Sequence, residues 1–469
     1  GLTVGPGVTL GTGSNQALAA RGGTATDLTV TGTNGNVAKA INVFYPEDYG
    51  AVGDRVTNDR AAIQAAIDAA SSGTTGGIVQ LSKMYALSGT GVLVHHANIE
   101  IRGISSGSYW GPSVSCGFII TSPSFAAITV NEPVAGGSYA TGGFVARDFS
   151  IVGADGTYKT KGNTGIKFAR ASGGGGVALD CPLIQRVNCQ WIATGLQVDR
   201  CDSPQIRDCR ICDDGEGITL NSSFNATISG CIIWDHTAIG IYCYNVSSIA
   251  ITNNSIGSSQ WGVSTTLSNN VAITANNFTQ NSATGTKLGG VRVDGNANIS
   301  SNVFYGSLGS NDWTYGCVYV AGYSPNEGVN IIGNRMQSTA VGIRFDGGAQ
   351  KCVSLGNTIV ATTYPHVAGN SAKLYSLGNI TMGTGSDLFS GGGAFTPMSG
   401  QRTLVSGTLV SGTAAIPHQY MTSKVQVQPT TSGTLANAGV LSVTVSGTTA
   451  TVRSSNAADT STFSLFIEQ

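Results

Sequence analysis

Charge is the first thing this sequence lacks. Only 10% of its 469 residues are Asp, Glu, Lys or Arg, where a globular chain carries roughly 25%. The few charges cancel to a net −1, so nothing directs the chain electrostatically toward nucleic acid or an anionic membrane surface. Also missing is an apolar run of the roughly 18 residues that a membrane span needs. No charged n-region followed by an apolar stretch opens the chain. The sequence therefore reads as soluble, without membrane insertion and without a signal peptide. Paired Cys-x-x-Cys or His spacing is absent too, since Cys209-Arg210-Ile211-Cys212 stands alone, and neither a metal nor another cofactor is expected.

What is abundant is glycine, at 66 residues, about double the usual share, and much of it keeps time. Gly195, Gly217, Gly240, Gly262, Gly290, Gly316 and Gly342 recur every 22 to 28 residues, each before a short strand-like phrase. A second phrase follows each: Ile206-Cys209-Ile211, Ile228-Cys231-Ile233, Ile251-Asn254-Ile256, Ile273-Asn276-Phe278, Ile299-Asn302-Phe304, Ile331-Asn334-Met336 and a weaker copy, Ser354-Asn357-Ile359. Cys189 and Asn379 extend the Asn/Cys series at either end. A period in the twenties with alternating segments is that of a solenoid whose coils stack strand on strand, a parallel β-helix. The asparagines are then an inward ladder, and the cysteines, with Cys243 and Cys317, are reduced core residues.

Ahead of the repeat, Asp48-Tyr49-Gly50-Ala51-Val52-Gly53-Asp54 leads to an apolar-periodic helix near 59–71, with Asn58 or Asp59 as N-cap. Such a helix caps the open end of the stacked strands. Together with Gly77-Ile78-Val79-Gln80-Leu81 and Asn98-Ile99-Glu100-Ile101-Arg102-Gly103, this opening resembles the pectate-lyase-like superfamily, in the branch rich in bacteriophage tailspikes. It departs from that pattern at Arg55 and Arg60. The resemblance implies an all-β, right-handed parallel β-helix over 43–382 behind an arm or neck over 1–42. Past a Gly-rich linker at 383–386 and 391–393, period-2 strands such as Lys424–Gln428 and Leu441–Val445 point to a small C-terminal β-sandwich within 383–469. The passage from Ser454 to Thr462 resembles C-terminal modules of phage tail proteins, which implies a homotrimer in a virion tail.

Cleaving a polysaccharide needs two carboxyl groups, one protonated and one ionised. Counting two residues past Ile211 and Ile233 places Asp213 and Asp235 at the same bend of neighbouring coils, with Asp214 and Glu216 close by; these four are the candidate catalytic residues. Asp beside Gly is also an ordinary turn residue. His236, Trp234, Tyr242, Trp261, Arg292 and Asp294 are candidate substrate contacts, and Tyr244 and Tyr315 extend the aromatic set. Arg292 with Asp294 and Arg344 with Asp346 form a second candidate pair two coils apart, which could equally be a solvated ladder. Asp312 and Glu327 lie in longer loops. The expected function is a tailspike that binds and hydrolyses a host capsule, exopolysaccharide or O-antigen, with a lyase, whose base would be His236, a Tyr or an Arg, or a non-catalytic receptor-binding spike as alternatives.

Overall fold

The described residues of the computed structural model lie between 42 and 468, with gaps of which 107–115, 132–141, 170–178 and 430–440 are the longest. The N-terminal arm, the linker glycines, Asp312 and Glu327 fall outside them. Two compact units divide at Gly215 and Glu216. In each, the strands form three parallel stacks visited in rotation, the signature of a β-helix.

The helix Arg60–Ser71 opens the first unit, burying Ile63, Ala66, Ile67 and Ala70. Asn58 caps it, accepting the Arg60 amide at 3.3 Å. Asp59 does something else: its buried carboxylate takes the amides of Val52 and Gly53 at 2.7 and 3.0 Å, tying down the loop ahead of the helix. The first sheet of this unit has a charged outer face. Arg147 bonds Glu100 at 2.7 Å and Asp148 at 3.1 Å, and Arg186 holds Asp148 with contacts of 2.6 and 3.0 Å.

In the second unit the three stacks are built on Thr227–Ser229, Ile232–Trp234 and Glu216–Asn221. Their inward residues, among them Ile251, Ile273, Ile299, Ile256, Phe278, Phe304, Val263 and Val291, are almost wholly buried, each contributing about 1.5–3 kcal/mol. The repeat glycines are explained by this core. A Cβ on Gly262 would lie 2.8 Å from the Phe278 ring, and one on Gly290 2.8 Å from Phe304. Phe278 and Phe304 themselves stack at 4.7 Å.

Asn254, Asn276, Asn302, Asn334, Asn357 and Asn379 form the ladder. Each of Asn276 through Asn379 accepts the preceding asparagine's amide N–H at 2.8–3.0 Å. Their carboxamides donate to backbone carbonyls such as Ile251 and Ile273 at 2.8 Å. Buried polar groups are thereby satisfied along the whole column.

Three features depart from the sequence reading. Cys189 is not a rung: it pairs with Ile211, and the slot before it belongs to Val187, whose carbonyl takes the Arg210 amide as Cys231's takes Ser255. Gly316 is not a repeat glycine, because it pairs with Gly289 and leaves Cys317 in the slot of Gly290. Parallel coils also continue past residue 382, through Leu388–Phe389 and Ala394–Pro397. Beyond them lie two three-stranded antiparallel sheets, one of Arg402–Thr408, Thr462–Glu468 and Lys424–Pro429, the other of Thr413–Pro417, Thr449–Ser454 and Leu441–Ser446.

No disulfide joins the ten cysteines, nine of which are buried. Burial pushes the Cys243 and Cys352 thiols up to about 12, which leaves them unreactive. No described helix is long and apolar enough to cross a membrane.

Candidate active site

Asp213 and Asp235 do occupy equivalent corners, each in the left-handed region with φ of 59° and 61°. Their surroundings differ from those expected. Asp213, in the first unit, is held by the Lys159 ammonium at 3.1 Å and by the Gln190 amide at 3.3 Å. Asp214 does not project outward but is fully buried, accepting the Ile192 amide at 2.9 Å. That burial raises its carboxyl well above the usual range, with Asp213 adding to the effect. The left-handed corner at Asp213 breaks the strand alternation and turns the next residue into the coil.

The second unit holds the other two acids. Glu216 opens a strand of the third sheet and accepts the Thr219 hydroxyl at 3.1 Å. Asp235 donates its amide to the Gly257 carbonyl at 3.2 Å. His236, expected to meet substrate, is buried beneath Gly217, where a Cβ would lie 3.0 Å from its Nε2. Trp234 donates its indole N–H to Ser255 at 3.0 Å and covers Gly257.

A denser constellation stands on the outer face of the third sheet of this unit. Outward positions run in register from Thr219 through Tyr242, Ser264, Arg292 and Tyr319 to Arg344. Trp261 lies at the start of its strand, and Gly289, its partner on the next coil, leaves the room its ring fills: a Cβ there would meet the indole at 2.3 Å. The indole stacks on Tyr319 at 5.8 Å and meets Tyr315 at the same distance. The Arg344 guanidinium caps Tyr315 at 5.0 Å. Arg292 reaches back to Ser264 and Thr266 at 3.3 and 3.1 Å.

Two carboxyls end this face. Asp294 and Asp346 directly follow Val293 and Phe345, which both pair with Val320 or its equivalent place on the intervening strand. Two coil spacings separate those positions, roughly 9–10 Å. The Asp346 side chain is 41% exposed, pairs with Arg344 at 3.5 Å and accepts the Tyr319 hydroxyl. Asp294 is only 6% exposed. Burial raises its carboxyl above the usual range, against the opposing pull of Arg292 and of the Leu267 and Ser268 amides. One of its oxygens, Oδ1, has no hydrogen-bond partner among the described residues. One carboxyl is thus biased toward the acid form and the other sits beside a cation, the division of labour that acid–base chemistry requires.

The structure therefore brings Tyr242, Trp261, Arg292 and Asp294 to one sheet, with Trp261 and Asp294 themselves buried there, and leaves His236 and Asp214 buried elsewhere in the coils. Tyr319 lies outside the sequence pattern because that pattern counts from Gly316, which pairs with Gly289 rather than with Gly290. Counting from Cys317 instead puts Tyr319 level with Arg292 and Arg344. Among the described residues no group of three His, Cys, Asp or Glu could hold a metal ion.

Comparison with known proteins bears on the scaffold. The family described as "Right handed beta helix region" matches residues 164–327. The solenoid is right-handed. A second family, "Rhamnogalacturonase A/epimerase, pectate lyase-like", matches residues 40–92, which span the capping helix and first coil. No curated protein matches the chain by sequence. Among solved structures, the DFA-IIIase of Arthrobacter chlorophenolicus A6 in complex with GF2 is similar over 72% of this chain and 93% of its own, at 16% identity and TM-score 0.57. The catalytic unit of a GH87 α-1,3-glucanase from Streptomyces thermodiastaticus gives 18% identity and TM-score 0.58 over 76% of this chain and 68% of its own. The A-module of the Azotobacter vinelandii mannuronan C-5 epimerase AlgE6 gives 20% and 0.53 over 76% and 98%. At these identities the likeness is one of fold.

Proposed function

We propose that this β-helix cleaves a polysaccharide by hydrolysis on the third-sheet face of its second unit, with Asp294 as general acid and Asp346 as general base. The observation that carries the reading is the pairing of a buried, raised carboxyl with an exposed, cation-flanked one beside an aromatic platform. Asp294 gives its proton to the leaving glycosidic oxygen as the C–O bond breaks. Asp346 takes a proton from the water that adds to the anomeric carbon from the opposite side. The separation of roughly 9–10 Å falls at the wide end for two carboxyls that admit a water, so the product has inverted configuration. Tyr315 and Tyr319, half-buried and backed by the buried Trp261 ring, offer faces and edges against which sugar rings pack.

The biological setting rests on the opening motif, on the C-terminal passage that resembles phage tail modules, and on the match of residues 40–92 to a pectate-lyase-like family. In this reading the chain is a homotrimeric tailspike in a virion tail, acting outside the cell on a host capsule, exopolysaccharide or O-antigen. Glycosidase and epimerase structures of the same fold are in keeping with a carbohydrate substrate.

One observation favours a lyase as the second reading: Tyr319 stands in register between Arg292 and Arg344, where it could take a proton beside a uronate carboxylate. Burial, with the Asp346 contact adding to it, pushes its hydroxyl up to about 12, which makes it a poor base at neutral pH. Digestion of bacterial capsular polysaccharides and O-antigens distinguishes the two. Hydrolysis releases reducing ends with no new ultraviolet absorbance; absorbance from unsaturated uronate would replace the hydrolase with the lyase. Binding without either product would leave a receptor-binding spike.

A further inference from the structure

The first sheet of the second unit presents a different surface. Its outward positions from Thr227 to Val353 are Thr, Ser, Ala, Asn, Ile, Val and Leu, without a charge. One outward column runs Ala272, Asn298, Asn330, Val353, Tyr375, each in register with the next. Where this column passes between Asn270 and Gly328 it sinks into an open groove of about 490 Å³. Small residues make the depression: Ala272 and Gly328 leave space that longer side chains would fill. Asn270, Asn298 and Asn330 stand exposed around it.

The chemistry of that lining selects its occupant. A carboxamide carries two donors and an acceptor, so three of them can meet hydroxyls in either sense. Among the described residues no charged side chain lines the groove, so an ionic ligand would lose its hydration without gaining a counter-charge from them. The strands beneath are paired on both sides within their stack, which leaves no backbone edge for an extended peptide to join. Along the column, Val353 and the half-buried Tyr375 provide an apolar stretch for the face of a sugar ring.

We infer that this groove is a second saccharide site, taking an uncharged oligosaccharide laid along the coil axis over Asn298 and Asn330. It stands on a different sheet from the acid pair, so it holds a chain without cleaving it and does not depend on the reaction proposed above. Affinity electrophoresis of the full chain through gels containing glucomannan, galactomannan or dextran, with polygalacturonate as the charged control, tests it. At least one neutral polymer should retard the protein. The Asn298→Ala/Asn330→Ala double variant, altered only at exposed side chains, should run as in an empty gel, and Asp294→Asn/Asp346→Asn should be retarded like the parent. Three results would overturn the inference: no retardation by any neutral polymer, undiminished retardation of the asparagine variant, or loss of retardation in the aspartate variant, which would put the sugar on the reaction face. Light scattering closes the remaining route, since a lower mass for the asparagine variant would make the groove a contact between copies of the chain, contradicting the saccharide site.

Discussion

The two units turn the same coil but fill its inner corner with opposite chemistry. In the first, the slot before the second-sheet strands from Gly117 onward holds Cys116, Phe149, Val187 and Cys209, all buried, two of them apolar and two of them thiols that bond to nearby backbone. In the second, after Cys231, it holds six asparagines bonded rung to rung. The outer surfaces differ as well: the first unit's first sheet is crossed by Arg–acid pairs, whereas in the second unit the outward positions of that sheet from Thr227 to Leu355 carry no charge, and Arg292, Arg344, Asp294, Asp346 and the ring of Tyr319 stand on or at the end of the third. An apolar rung tolerates replacement by a similar volume, because nothing polar depends on it. An asparagine rung does not, since each one satisfies its neighbours. The second unit therefore carries a more exacting interior in the same coils whose third sheet bears the proposed acid–base chemistry, and a rigid element is what such chemistry needs.

That contrast can be broken in several places. The largest effect should come from Asp294→Asn, which removes the proposed acid and should lower kcat by 10²-fold or more, about the scale of general acid catalysis. Asp213→Asn in the first unit should leave kcat within roughly two-fold, since that carboxylate is occupied by Lys159 and Gln190. Equal losses in both would erase the distinction between the units.

Next comes the ladder. Asn302→Leu strips the Asn276 amide and the Ile273 carbonyl of their partners and should cost on the order of 3 kcal/mol in urea unfolding. Cys209→Ala, in the apolar part of the slot, should cost about 1 kcal/mol. If the two costs are the same, the ladder adds nothing beyond packing.

A smaller effect concerns pH. The Asp214 carboxyl is raised in the folded state, chiefly by burial. The folded chain then holds this proton more tightly than the unfolded one, so the stability it confers is present at low pH and is lost as pH rises from the ordinary Asp range through the raised value. Asp214→Asn should flatten the fall of Tm as pH rises above the ordinary Asp range. An unchanged slope would mean that other groups set it. The same sign applies to the reaction: activity should decline as pH rises through the raised Asp294 value, because the acid must be protonated to act.

The smallest change should follow Trp261→Phe, which keeps a ring over Gly289 but loses part of the stack on Tyr319. A two- to five-fold rise in KM with kcat held is the expected pattern for a binding platform.

Much of this architecture could be read from residue spacing. The glycine period and the Ile-x-x-Asn-x-apolar phrase locate inward positions because every coil must bury the same slots. Two slips show where spacing stops informing. Cys189 and Gly316 have the right residue type beside, rather than in, the repeating slot, and only strand pairing reveals that Val187 and Cys317 take those places. The second slip hid Tyr319. Direction at corners was also illegible: a left-handed residue at Asp213 sends Asp214 inward, and no period encodes that. Asp294 and Asp346 are visible as a matching pair, but not their unequal burial: Asp294 is buried and accepts the Leu267 and Ser268 amides of the neighbouring coil, contacts that residue spacing does not encode.

The claim that the second unit's third-sheet face is a hydrolytic site has one most direct measurement. Reducing ends released from a bacterial surface polysaccharide should be followed for the parent chain, Asp294→Asn, Asp346→Asn and Asp213→Asn, with circular dichroism confirming the fold of each. The account predicts cleavage by the parent and by Asp213→Asn, and none above about a hundredth of that rate by the other two. Full activity in Asp294→Asn and Asp346→Asn would contradict it.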